Sequence, residues 1–68
     1  MQSYVIYIIY LSDFYEFTMR DMQVIRVEKF SGEQQIPRIV LFDSLSDEVK
    51  WKFIHELKKA LDIKSQIP

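Results

Sequence analysis

From Tyr4 to Leu11 the chain runs through β-branched and aromatic residues, and both alternating sets, Tyr4, Ile6, Ile8, Tyr10 and Val5, Tyr7, Ile9, Leu11, are apolar. That pattern predicts a strand covered on both faces. Tyr4, Tyr7, Ile8, Leu11 and Tyr15 also fit a helical stripe behind a Ser3 cap. The run is short and rich in Ile and Val, which favours strand. After Ser12-Asp13 the pattern becomes two-fold: Tyr15, Phe17 and Met19 point one way, and Phe14, Glu16, Thr18 and Arg20 the other. A half-exposed strand is expected there. Met22 to Phe30 repeats the logic, with Ile25 and Val27 on one face and Val24, Arg26, Glu28 and Phe30 on the other. The turn at Arg20-Asp21-Met22 lacks the glycine that two-residue hairpins favour, so a wider turn or one long bent strand with a bulge is expected.

Phe30-Ser31-Gly32-Glu33-Gln34-Gln35 holds the single glycine and reads as a hairpin loop. A last strand follows over Arg38 to Phe42, and Pro37 at its start implies a sheet edge. Asp43-Ser44-Leu45-Ser46-Asp47-Glu48 supplies helix-start chemistry: Ser44 or Ser46 can accept from free amides, and Asp47 and Glu48 suit the positive end of the dipole. The helix is expected from Ser46 to Asp62. Val49, Phe53, Ile54, Leu57, Ala60 and Leu61 form its apolar stripe, with Lys58, Lys59 and Lys64 near its negative end. Trp51 lies off that stripe, on a face shared with His55, Lys58 and Asp62. No repeat or linker interrupts the chain. The expectation is a single domain over 1–68 with a frayed Ser65-Gln66-Ile67-Pro68 tail. Its class is α+β: a three- to four-stranded antiparallel sheet followed by one C-terminal amphipathic helix.

Length changes this picture. A chain of 68 residues builds one small core, and domains of that size draw support from disulfides, metals or partner subunits. Cysteine is absent, which removes disulfides and thiolate metal sites, and the single histidine, His55, makes no zinc site without carboxylates from elsewhere. A homodimer is the remaining support, and about half the residues being apolar agrees with it. The net charge of −1 gives no global field toward nucleic acid or anionic lipid. The apolar run at Val5 to Leu11 is far shorter than the roughly 20 residues of a membrane span, and Met1-Gln2-Ser3 lacks the basic start of a signal peptide. No membrane partner is expected, and the absence of cysteine is compatible with the cytoplasm.

Candidate chemistry is sparse. His55 reads as a solvated helix residue, Asp43 and Asp47 have adequate roles at the helix start, and one glycine makes no phosphate-cradling loop. A non-enzymatic protein without cofactor or metal is expected. Trp51 is either covered by a flanking loop or anchors a partner, since exposed tryptophan is enriched at interface centres. With Tyr4, Ile6 and Ile8 of the first strand it forms the candidate protein interface. Phe14, Arg20, Arg26, Phe30 and Arg38 mix flat rings with guanidinium groups, as surfaces for single-stranded nucleic acid do, although Glu16 and Glu28 share the face.

Arg38-Ile39-Val40-Leu41-Phe42-Asp43 leading into a helix with Phe53, Leu57 and Leu61 resembles the PUR-repeat and Whirly group of single-stranded nucleic-acid-binding modules. The resemblance implies a dimer packed across a two-fold axis that presents strands to single-stranded DNA or RNA in transcription or a related process. Phe14, Arg20, Arg26, Phe30 and Arg38 are the positions it transfers. This chain departs from the group in being slightly acidic and in lacking a lysine-rich sheet. The competing expectation is a small inhibitor or adaptor, of the kind viruses and mobile elements encode, that engages a host protein through an apolar interface.

Overall fold

Turns set the registers of the sheet, because a one-residue slip sends every side chain to the other face. A computed structural model describes residues 3–32 and 36–66. Strand β1 (Ser3–Tyr10) passes through Leu11 and Ser12 into β2 (Asp13–Arg20), and β2 passes through Asp21 and Met22 into β3 (Gln23–Ser31). Tyr10 pairs with Asp13 and Arg20 with Gln23, so both hairpins close on two-residue loops. The loops are made without glycine: Leu11 (φ 57°), Asp21 (φ 51°) and Met22 (φ 67°) all take left-handed backbone. Two consecutive left-handed residues are the mark of a type I′ turn, whose twist matches that of the flanking strands. The tight turn replaces the wider one expected from the missing glycine.

No bulge sits at the turn itself, where a single bent strand was the alternative expectation; one lies further along the hairpin. Thr18 pairs with Arg26 but Met19 with Val24, which leaves Ile25 as the extra residue on β3. Val24 therefore packs against the core and Ile25 is exposed, the reverse of the strict alternation read from sequence. From Arg26 onward the alternation holds, with Val27 buried.

β4 (Arg38–Val40) pairs antiparallel with β3, Val27 facing Val40 and Lys29 facing Arg38. The strand order is β1-β2-β3-β4, so β4 is an edge, as Pro37 implied. β4 stops short of Phe42 because Phe42–Ser44 winds into a 3₁₀ turn. There the Ser44 amide and Oγ both donate to the Leu41 carbonyl, at 3.0 and 2.6 Å. Helix α1 (Asp47–Gln66) follows. Ser46 caps it: its carbonyl accepts from the Lys50 amide at 3.1 Å and its Oγ from the Val49 amide at 3.4 Å. Of the two serines expected as acceptors only Ser46 acts so, and the helix runs past Asp62 to Gln66.

The fold is α+β, a four-stranded antiparallel meander with one helix on one face. Its core joins Ile6 and Ile8 of β1, Tyr15, Phe17 and Met19 of β2, and Val27 of β3 to Val49 and Phe53 of α1. Phe17 is fully buried and meets Phe42 and Phe53 edge-on and stacked respectively. The helical stripe is narrower than expected, since Leu57 packs on the core while Ile54 and Ala60 are exposed. β1 is covered on one face only, not two. Val5, Tyr7 and Ile9 point away from the helix and are exposed. Loop residues Glu33, Gln34 and Gln35 and tail residues Ile67 and Pro68 lie outside the described residues. Among the described residues no helix is long and apolar enough to cross a membrane.

Candidate interaction surface

The registers assemble the face of the sheet opposite α1 row by row. Ile9, Phe14 and Phe30 face one another across β1, β2 and β3, and the next row is Tyr7, Glu16, Glu28 and Ile39. Val5, Thr18 and Arg26 follow, then Ser3, Arg20 and Gln23. The three rings form a continuous run: Tyr7 stacks on Phe14 at 5.2 Å and 25°, and Phe14 meets the edge of Phe30 at 5.6 Å and 64°. Aromatic pairs at such separations and angles attract beyond their area burial. Exposed Val5, Ile9, Ile25 and Ile39 surround them.

Two carboxylates interrupt this apolar surface. Glu16 and Glu28 are direct cross-strand partners, an arrangement of like charges that destabilises a sheet. The Arg26 Nε holds Glu28 at 2.9 Å, whereas Glu16 makes no ion pair among the described residues. The face therefore carries an exposed apolar and aromatic field around a carboxylate pair that is half neutralised.

Of the residues expected to meet nucleic acid, Phe14, Phe30, Arg20 and Arg26 come together on this face. Arg38 does not: it pairs with Lys29 on the helix side, because β4 enters the sheet in register with Val27 and Val40 inward. The expected protein interface needs a similar correction. Ile6 and Ile8 lie buried beneath α1 and Tyr4 packs against the same core, so the exposed apolar residues of β1 are their neighbours Val5, Tyr7 and Ile9. When both alternating sets of a strand are apolar, sequence does not say which set faces inward.

Trp51 is 70% exposed, and no loop covers it among the described residues. With Lys52, His55 and Glu56 it forms one wall of an open groove of about 320 Å³, whose other wall is Tyr7, Ile8 and Ile9. The groove runs along the outer edge of β1, where no strand pairs among the described residues. Asp43 and Asp47 are exposed at the 3₁₀ turn and the start of α1. Among the described residues no group of three or more histidines and carboxylates is placed to hold a metal ion.

No protein-family model, curated protein or solved structure matches this chain.

Proposed function

We propose that this chain is a non-enzymatic binding module that docks a partner protein on the outer face of its sheet. One observation carries the reading: Val5, Tyr7, Ile9, Phe14, Phe30 and Ile39 share one sheet face around Glu16 and Glu28, with nothing packed on that face among the described residues. Contiguous exposed apolar surface rimmed by polar groups is characteristic of interaction sites. The chemistry of the partner follows from the carboxylates. An apolar protein surface presenting a lysine or arginine would cover the rings and pair with Glu16, which lacks an ion pair among the described residues.

A second reading is favoured by the ring run itself. Tyr7, Phe14 and Phe30, flanked by Arg20 and Arg26, offer stacking surfaces and cations of the kind single-stranded nucleic acid uses. The resemblance of Arg38–Asp43 and the helix after it to PUR-repeat and Whirly modules would imply the same. Glu16 and Glu28 at the centre of the face, and the engagement of Arg26 by Glu28, weigh toward protein.

The test uses the chain and its Ile39→Lys and Glu16→Lys variants as bait in native lysate, with and without nuclease treatment. The recovered protein is then titrated at about 50 and about 200 mM salt. The docking reading expects a protein that both variants fail to bind and whose affinity for the parent changes little with salt. Equal binding by parent and variants overturns it. So does recovery of nucleic acid alone, with affinity falling steeply as salt rises.

A further inference from the structure

We infer that the free edge of β1 is a self-association seam, on which a second copy of the chain pairs antiparallel about a two-fold axis at Tyr7, giving one eight-stranded sheet. The inference goes beyond the docking of a different protein and stands if that reading fails. The two edges of the sheet are treated differently. β4 is three residues long, is preceded by Pro37 and carries Arg38, all devices that discourage strand addition. β1 is eight residues long and contains no proline and no charge. An edge of that kind is a ready template for another strand.

The sequence of β1 names the occupant. Tyr4-Val5-Ile6-Tyr7-Ile8-Ile9-Tyr10 reads nearly the same in both directions from Tyr7. An antiparallel copy centred there sets Tyr4 against Tyr10, Val5 against Ile9, Ile6 against Ile8, and Tyr7 against Tyr7 of the second copy. A two-fold interface must be self-complementary, and this strand is. An axis normal to the sheet keeps both helices on one side and both outer faces on the other. The groove places Trp51, Lys52, His55 and Glu56 beside Tyr7, so the same axis brings this wall against its own copy. Antiparallel helices then set Lys52 toward Glu56 of the other copy, and the two Trp51 rings lose solvent together. Within one chain, among the described residues, Glu56 pairs with an exposed Lys59 at 3.6 Å.

The absence of cysteine makes the register testable by single cysteines on the full chain. Cross-strand partners at a two-fold centre have Cα atoms about 4.5–5.5 Å apart, inside the range a disulfide spans. Val5 and its own copy would be about 13 Å apart, four residues of strand. Sedimentation should give a dimer. Oxidation should cross-link Tyr7→Cys, and also Val5→Cys combined with Ile9→Cys, but not Val5→Cys alone. Lys52→Glu, folded by circular dichroism, should weaken the dimer at least tenfold, and Lys52→Glu with Glu56→Lys should restore it. A monomer at all concentrations, equal cross-linking by Val5→Cys and Tyr7→Cys, or no response to the charge reversal overturns the seam. Partner capture by the monomeric Lys52→Glu variant separates this result from the docking reading.

Discussion

Phe17 and Phe53 stack with ring centroids 4.3 Å apart and planes inclined by 23°, joining the centre of the sheet to the second turn of the helix. Phe17 is also the cross-strand neighbour of Ile6 and Val27, so one ring touches three strands and the helix. Alanine at either position should destabilise by about 3–5 kcal/mol, a large share of what so short a chain can muster. Urea unfolding of Phe53→Leu, which retains most of the volume, should show a much smaller loss. Equal losses for leucine and alanine would mean that the stack, and not the volume, holds the helix.

The left-handed backbone at Met22 is unusual for a bulky side chain. Met22→Gly should leave stability unchanged or raise it by up to about 1 kcal/mol, relief of a left-handed residue offsetting the greater freedom of the unfolded chain. The weak contact of the Tyr4 hydroxyl with the Met22 sulfur, at 3.8 Å, is a minor loss. Met22→Val, β-branched, should destabilise by at least about 1 kcal/mol. Thermal melts of the two variants must move apart; melts that move together would refute the turn geometry.

Ser46→Ala should lower stability by about 1 kcal/mol, and Ser46→Asp should restore it, because an aspartate at the cap accepts the same amide and suits the helix dipole. Ser44→Ala should do less, since its hydroxyl donates to an exposed carbonyl outside the helix. Chemical denaturation of the three variants ranks them directly.

Much of this was legible in the chain. Tyr15, Phe17 and Met19 alternate with Glu16, Thr18 and Arg20, so β2 and its inward face could be read from the sequence. Ser46-Asp47-Glu48 announced the helix start for the same local reason. Three things were not legible. β1 is apolar on both sides, and the burial of Ile6 and Ile8 follows from where the helix lands, which is a tertiary outcome. The bulge at Ile25 is a one-residue insertion in pairing that hydrophobic alternation does not encode, so Val24 and Ile25 exchanged faces. Arg38 left the candidate site because the face of β4 depends on its register after the Gly32 loop. Phe14 and Phe30 stayed together because the bulge lies between the tight turn and their row.

Glu16 and Glu28 oppose each other on the outer face, so relieving the pair should stabilise the fold while harming function. Glu16→Lys should raise stability by about 0.2–1 kcal/mol and abolish capture of a partner that presents a basic group. A gain in stability with unchanged binding would remove Glu16 from the docking surface. Such opposition between stability and activity is expected where a strained arrangement serves binding.

Ile8 and Ile9 are adjacent in one strand, 3% and 69% exposed, and they separate the two faces most directly. Stability and partner binding should be measured together for Ile8→Ala and Ile9→Ala. The account predicts that Ile8→Ala loses about 2–5 kcal/mol, whereas Ile9→Ala loses less than about 0.5 kcal/mol yet binds its partner weakly or not at all. Equal destabilisation by the two substitutions, or full binding by Ile9→Ala, would contradict a sheet with one face built for the core and the other for a partner.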